Sequence, residues 1–417
     1  MKIAVLSSSY LPETDGAAIA THYHACFLAR QEHEVIFVRP SFPANWEGVA
    51  QPHLALPPMR HLEYPGVPLL DANSRLPSCR DSLRAASELS SFRPDLVVYH
   101  DPERMVPLLT VPFLPKRVLG LATFRRSPCK VVAVHHTEIL RSSALRPEWY
   151  LRNGLARKLN AWTLSRIYNR FDAAVFVSDQ SEREARSVGI TAPGVRGYNG
   201  VDGELFSPRR ELRPAELTLC VVGRLAYEKS SNLIPHFVRE LSKLTGDFRV
   251  VVIGDGYLRH ELRAACKDMP RISFLGNIPT DQVAARMNEA SFLLSFSAVE
   301  TDGLVTKEAL CCGVPIIAPN AMGSAQWLHR GVGLIYDPSW LTPDGMGTLA
   351  KAVIDQLPQH AEWEKNALAL REELSWDRAL RQTYAGLGKA LGLSIVNPVD
   401  PTGEARRSRS AANLDTD

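Results

Sequence analysis

Three glycine-punctuated segments in the second half of the chain carry residues able to hold an anionic, hydroxyl-rich ligand. The first is Val221-Val222-Gly223-Arg224-Leu225-Ala226-Tyr227-Glu228-Lys229. An apolar run ends at a glycine, an arginine follows at once, and a lysine comes five residues after the arginine. At the carboxyl end of a strand these are two fixed cations. The arginine can bind phosphate bidentately and the lysine acts as a point charge. The second segment, Val252-Ile253-Gly254-Asp255-Gly256, again runs from apolar residues into glycine, which lets backbone approach a ligand closely. It lacks the G-x-G-x-x-G spacing of a dinucleotide redox site. The third runs from Glu300 to Pro315. Gly303 stands at the predicted start of a helix, where the free N–H groups around Gly303, Leu304 and Val305 suit a phosphate. Glu308, a little over one turn into that helix, is placed to accept hydrogen bonds from ribose hydroxyls. Glu300 is placed to hold sugar hydroxyls. Asp302 puts a negative charge beside this anion site, and nothing in the sequence accounts for it.

The elements needed to position these loops are legible as a repeated strand–helix rhythm. Lys2–Leu6, Glu34–Val38, Asp95–Tyr99, Lys130–Val134 and Ala173–Val177 read as short buried strands. Thr21–Arg30 and Asn153–Tyr168 have helical periodicity. Residues 198–214 are rich in Gly, Pro and charge, and the rhythm restarts beyond them. Leu219–Val222, Arg249–Ile253, Ile272–Leu275, Phe292–Phe296 and Pro315–Ala318 read as strands. They alternate with helices over Leu233–Leu244, Leu258–Cys266, Gln282–Asn288 and Leu304–Cys312. Helical patterns continue from Gly345 to about Leu391. Two βα arrays predict an α/β protein of two doubly wound, Rossmann-like domains facing across a cleft. The expected organisation is an N-terminal domain over 1–200, a linker over 201–214, and a ligand-binding domain over 215–375. A helix over 376–393 is expected to return to the first domain, and a polar tail over 394–417 to be disordered. Ligands in such sheets bind beyond the carboxyl ends of the strands.

With these segments in order, the chain resembles the large GT-B group of retaining glycosyltransferases called family 4. The resemblance covers about residues 1–385. It is carried by Tyr10-Leu11-Pro12 with Gly16, Asn199-Gly200-Val201-Asp202 with Phe206-Ser207-Pro208, Gly223-Arg224-Leu225 with Glu228-Lys229, Gly254-Asp255-Gly256, and the E-x7-E pair of Glu300 and Glu308. The resemblance implies a nucleotide-sugar donor, UDP- or GDP-linked, and an acceptor hydroxyl on a lipid, a glycan or a small molecule. It implies Arg224 and Lys229 as the diphosphate clamp, Glu308 as ribose ligand and Glu300 as donor-sugar ligand. Gly16 resembles the glycine whose loop reaches the phosphates from the first domain. His135-His136-Thr137-Glu138 looks like the family's histidine-containing motif on the acceptor side, with His136 the functional histidine by register. The nearest likeness is to α-mannosyl- and sulfoquinovosyl-type transferases. Two departures stand out: Asp302 replaces the usual aromatic residue, and Ala321–Gln326 lacks the usual Gly-Gly and acidic residue. A sugar-nucleotide epimerase, a phosphorylase or a non-catalytic nucleotide-sugar-binding relative would share the architecture. A phosphorylase would need a cofactor lysine that the sequence does not single out.

Composition narrows the partners. The 417 residues are 45% hydrophobic and 22% charged, with a net charge of +3, an ordinary globular balance. Seven scattered cysteines with no C-x-x-C pair argue against a disulfide framework or a structural zinc site and favour a reducing, cytoplasmic setting. No metal or other cofactor is expected, since two cations and a helix end can carry the diphosphate charge. No nucleic-acid partner is expected. Residues 104–170 hold 13 Lys and Arg against Glu138 and Glu148. That basic stretch is expected to face anionic partners, an anionic membrane surface among them. No apolar run is long enough to span a bilayer.

Overall fold

The computed structural model describes residues 1–7, 10, 16–41, 54, 56–65, 67–68, 75–76, 78–102, 129–136, 154–212, 214–297, 302–320 and 325–397. Thr137, Glu138 and Glu300, the loop 321–324, residues 398–417 of the expected 394–417 tail and most of the basic stretch lie outside the described residues. The start of that tail is ordered rather than disordered: Ile395 is buried in the core with Ile3 and Val5, and its carbonyl oxygen lies 2.7 Å from His33 Nε2.

The first half forms a seven-stranded sheet: β1 (Lys2–Leu6), β2 (Glu34–Pro40), β3 (Arg60–Tyr64), β6 (Leu96–His100), β7 (Lys130–His135), β8 (Ala173–Phe176) and β9 (Gly194–Arg196). Strands β4 (Val67–Pro68) and β5 (Arg75–Leu76) make a separate antiparallel pair. The large sheet is parallel, in the order β3-β2-β1-β6-β7-β8-β9. Helices α1 (Gly16–Arg30), α2 (Cys79–Phe92), α3 (Gly154–Tyr168) and α4 (Asp179–Ser187) connect it. Its interior strands β1, β2, β6, β7 and β8 are buried along nearly their whole length because both faces are covered, while the edge strand β3 exposes Arg60, His61 and Glu63. Ile3 and Val5 pack with Ala20 and Leu28 of α1, while Ala4 and Leu6 pack with Leu89 of α2 and Leu164 of α3.

The second half repeats the plan. Strands β10 (Leu217–Val222), β11 (Phe248–Ile253), β12 (Ile272–Gly276), β13 (Phe292–Leu294), β14 (Ile316–Pro319) and β15 (Gly333–Tyr336) form a parallel six-stranded sheet. Its order is β12-β11-β10-β13-β14-β15. One face packs on α5 (Ile234–Leu244), α6 (Arg259–Ala265) and α10 (Gly345–Asp355). The other packs on α7 (Thr280–Asn288), α8 (Leu304–Cys311) and α11 (His360–Ala369), with the short α9 (Ala325–Leu328) beside them. Strand order reverses where β10 meets β13, which is where an open α/β sheet opens its ligand crevice.

The chain crosses between the two sheets twice, and the crossings touch. Val201 pairs with Ser375, and the Val201 N–H donates to Leu374 O at 2.7 Å. A Cβ on Gly200 would lie 2.3 Å from Trp376 Cα, so only glycine fits this close approach. Beyond the second crossing, α12 (Trp376–Leu391) returns to the first sheet, and its Leu380, Tyr384 and Leu387 join the core around β1.

Several elements differ from the sequence expectation. Helix α1 starts at Gly16 rather than Thr21, since small residues in its first turn let it lie close against neighbours. Strand β13 stops at Leu294 rather than Phe296 because Ser295 Oγ bonds the Ser297 N–H and bends the chain out of the sheet. The helical stretch from Gly345 is three separate helices. The described cysteines Cys26, Cys129, Cys220, Cys266, Cys311 and Cys312 are free and buried. Among the described residues no helix is long and apolar enough to cross a membrane.

Candidate active site

The loops after β10 and β11 lie against each other. A Cβ on Gly254 would sit 2.0 Å from Gly223 O, and one on Gly256 would sit 2.3 Å from Leu225 O. Gly223 N–H donates to Ile253 O and Leu225 N–H to Asp255 O, both at 3.0 Å. These contacts give the cation loop a fixed floor. Ser231 Oγ holds it from below, accepting from Ala226 N–H at 3.2 Å and donating to Arg224 O at 3.3 Å. Tyr257 braces the outside: its hydroxyl accepts from Tyr227 N–H at 2.8 Å and donates to Glu228 Oε2 at 3.0 Å. Arg224 is half exposed, its guanidinium 3.7 Å from Glu228 Oε1. Lys229 closes the single helical turn Tyr227–Lys229.

Across the strand-order reversal, α8 begins at Gly303, whose φ of +71° suits glycine. Among the described residues no side chain caps this helix end, and the first N–H groups of an α-helix have no partner within the helix. Gly16, the first residue of α1, faces the same spot: a Cβ there would lie 3.1 Å from Leu304 Cδ1. The structure thus brings Gly16, Gly303 and Leu304 together from the two halves of the chain.

Glu308 lines a cleft between the halves, with Ile19, Tyr23, Asp202, Thr280 and Trp376 among its walls. Burial pushes the Glu308 carboxyl up to about 7. Tyr23 spans the cleft. Its hydroxyl donates to Asp202 Oδ2 at 3.0 Å, and its ring stacks on Trp376 at 4.6 Å. Asp202 Oδ1 accepts the Glu204 and Leu205 N–H groups at 3.0 and 3.1 Å, which fixes its carboxylate.

The histidines at the end of β7 divide. His135 is buried and its Nδ1 lies 3.0 Å from the Tyr168 hydroxyl of α3, within the core. His136 has its backbone N–H on Asp101 Oδ1 at 2.9 Å and its Nε2 2.8 Å from His100 Nδ1. The two rings stack at 5.1 Å. His24 of α1 meets His100 edge-on at 4.7 Å and has its Nδ1 2.9 Å from the Tyr384 hydroxyl. Burial holds His100 well below the usual imidazole range and His24 at about 3, so both are neutral.

Asp302 is buried with its carboxylate 2.6 Å from Lys307 Nζ. The negative charge that the sequence sets beside the anion site is therefore neutralised inside the protein. Sequence reading missed Tyr23, Tyr257, His24, His100 and Lys307. Tyr23 and His24 look like core residues of a helix, and Lys307 looks like a solvated helical charge. Only the segment Tyr10–Gly16 hinted that α1 borders the cleft.

Two parallel Rossmann-like sheets facing across a cleft, with a cation loop and an open helix end at the second sheet's reversal, define a GT-B glycosyltransferase. The sequence profile of the family Glycosyltransferase Family 4 matches residues 14–205, and that of Glycosyl transferases group 1 matches residues 204–369. The chain belongs to this group 1, family 4 class of glycosyltransferases. It is 28% identical over 255 residues to a sulfoquinovosyl transferase of Arabidopsis thaliana, covering 58% of this chain and 46% of that protein. It is 26% identical over 338 residues to a GDP-mannose-dependent alpha-mannosyltransferase of Mycobacterium tuberculosis, covering 78% and 80%. Its span of the first of these relatives is thus less than half of that protein's length. Among solved structures, a sucrose-phosphate synthase from Thermosynechococcus elongatus superposes with a TM-score of 0.72 at 18% identity, covering 94% of this chain and all of that one. The Anabaena protein HepE, solved with UDP and glucose, gives 0.69 at 18% identity, covering 93% and 100%.

Proposed function

We propose that the chain transfers a sugar from a UDP- or GDP-linked donor to an acceptor hydroxyl with retention, giving an α-linked product without a metal ion. The observation that carries this is the convergence of the cation loop Gly223–Lys229 and the open N-terminus of α8 on one strand-order reversal, with Glu308 in the adjoining cleft. The diphosphate lies against Arg224, Lys229 and the N–H groups at Gly303, Leu304 and Val305. Glu308 takes the ribose hydroxyls, and Glu300 the hydroxyls of the donor sugar.

The chemistry asks little of side-chain nucleophiles. The acceptor oxygen forms its bond to the anomeric carbon on the face from which the diphosphate departs. The bond from that carbon to the phosphate oxygen breaks with its electron pair leaving on the diphosphate. A phosphate oxygen then takes the acceptor's proton. The protein contributes position and charge stabilisation, which together can supply most of a transfer rate. His136, held by Asp101 and His100 at the end of β7, supports the donor sugar from the first half of the chain. Named relatives acting on GDP-mannose and a neighbour solved with UDP support a donor of this class.

The acceptor is a lipid, glycan or small-molecule hydroxyl. A lipid acceptor is favoured by the basic stretch 104–170 and by Trp162, which is 51% exposed on α3 with the Arg166 guanidinium 5.0 Å from its ring. An aromatic beside cations is suited to an anionic membrane surface, here the cytoplasmic face. Trp162→Ser is expected to weaken co-sedimentation with phosphatidylglycerol vesicles, and binding indifferent to anionic lipid and salt would remove this part. The transfer itself is tested by a thermal-shift screen over UDP-, GDP- and ADP-sugars. Proton NMR of the product with a chelator present follows. An α-anomer formed in the chelator is expected. A β-anomer, or activity lost with the chelator, would overturn the reading.

A further inference from the structure

The residue that fits the donor site worst is Asp302, since a carboxylate just before a helix N-terminus competes for the N–H groups a phosphate would take. Its surroundings resolve this. Lys307, one turn into α8, is 1% exposed, and lysine is rarely buried so completely without a partner. Its Nζ donates to Asp302 Oδ2 at 2.6 Å and to Asn199 O at 2.8 Å, and stands 5.6 Å over the Trp327 ring. The ammonium therefore has a carboxylate, a carbonyl and an aromatic face around it. Asn199 belongs to the first crossing between the two sheets, next to Gly200. Lys307 is thus fastened to the first crossing as well as to Asp302. With Asp302 turned onto Lys307 and Gly303 bearing no side chain, no described side chain caps the helix end.

We infer that Lys307 is a positioning residue for the donor: anchored on Asn199, it draws the Asp302 carboxylate away from the α8 N-terminus and so keeps that end open for the diphosphate. This rests on the donor reading above. Lys307 touches no substrate; it acts through Asp302. A buried ion pair that served stability alone would affect nucleotide binding only as far as it affects folding. The sequestering role makes a different demand. Removing the lysine harms binding because the carboxylate is released, and removing the carboxylate as well cures it.

The test measures UDP and GDP binding by titration calorimetry, with thermal unfolding alongside, on native chain, K307M, D302N, D302N/K307M and R224A. K307M is expected to weaken nucleotide binding about tenfold or more, since a released carboxylate opposes the diphosphate directly. D302N/K307M is expected to return to within about threefold of native, and D302N to bind as well as native even where its unfolding midpoint falls. If K307M does not fold, the D302N result decides. Unchanged binding in K307M, a double variant as weak as K307M, or a folded D302N that binds about tenfold more weakly would each overturn the inference. R224A separates the two levels. If R224A or the native chain shows that neither nucleotide uses this loop, the donor reading falls and takes the inference with it. If R224A weakens binding and K307M does not, the inference alone falls.

Discussion

Glu308 shows how a single residue takes its chemistry from its surroundings. Its carboxyl is raised to about 7 by burial in the cleft. Two ribose hydroxyls donating to it would favour the charged form and bring it down again. Donor binding should therefore release a proton near neutrality and weaken as pH falls below 7. The slope is set at about tenfold per unit at most. The same shift acts on the free fold in the opposite sense. Because the folded value lies above the unfolded one, this group stabilises the fold at acid pH, and that contribution is lost as pH rises from the ordinary carboxyl range through 7. Calorimetry from pH 5.5 to about 8.5 should show the binding slope in native chain, and Glu308→Gln should flatten it while weakening binding at the alkaline end. A slope that survives the substitution would assign it elsewhere. Glu308 stood out in the sequence as a candidate because a glycine and a helix start precede it, and the structure places it on the wall of the cleft. Lys307 and Asp302 could not be understood that way. Burial is what makes them a pair, and burial of a charge is not written in local sequence.

At the scale of elements, the paired crossing between the sheets is a tightly constrained feature. Gly200 lies against the Trp376 backbone with no room for a methyl group. Gly200→Ala should cost about 1–3 kcal/mol, read as a lower unfolding midpoint, since the crossing strands must part to admit the side chain. A variant with unchanged midpoint would mean that the two crossings separate easily. The long apolar strands were legible from sequence: β1 runs over Lys2–Leu6 as expected, and β10, β11 and β12 lie within two residues of their expected bounds. The elements that were not legible have identifiable reasons. Helix α4 reads Asp-Gln-Ser-Glu-Arg-Glu-Ala-Arg-Ser, without an apolar stripe, and buries only Ser181, Glu184 and Ala185. It is set instead by a reciprocal hydrogen-bond pair between Ser178 and Ser181 at its start. Strands β9 and β15 have three and four residues and gain their place from a neighbouring strand rather than from an apolar run of their own. Gly16 was legible as a candidate, and the structure sets it against Leu304, while the start of α1 there was not legible.

For the whole molecule, the two sheets are joined by the paired crossings, by α12 and by Tyr23. The Tyr23 hydroxyl reaches Asp202 and its ring lies on Trp376, so it ties α1 to both crossings. Tyr23→Phe keeps the stacking and removes the hydrogen bond. Nucleotide affinity should stay within about threefold of native, while transfer slows by about tenfold, since the halves must be held in register for the acceptor to meet the donor. Equal losses in affinity and rate would place Tyr23 in the nucleotide site itself. Nucleotide release reports directly on whether the cation loop and the open helix end carry the leaving diphosphate. Release of UDP or GDP from the preferred donor should be measured for native chain, Arg224→Ala and Lys229→Ala, with circular dichroism to show that each is folded. Rates are expected to be lower by about a hundredfold or more in both variants, the scale for losing a preorganised charge at a leaving group. Near-native release in both folded variants would contradict that placement of the diphosphate.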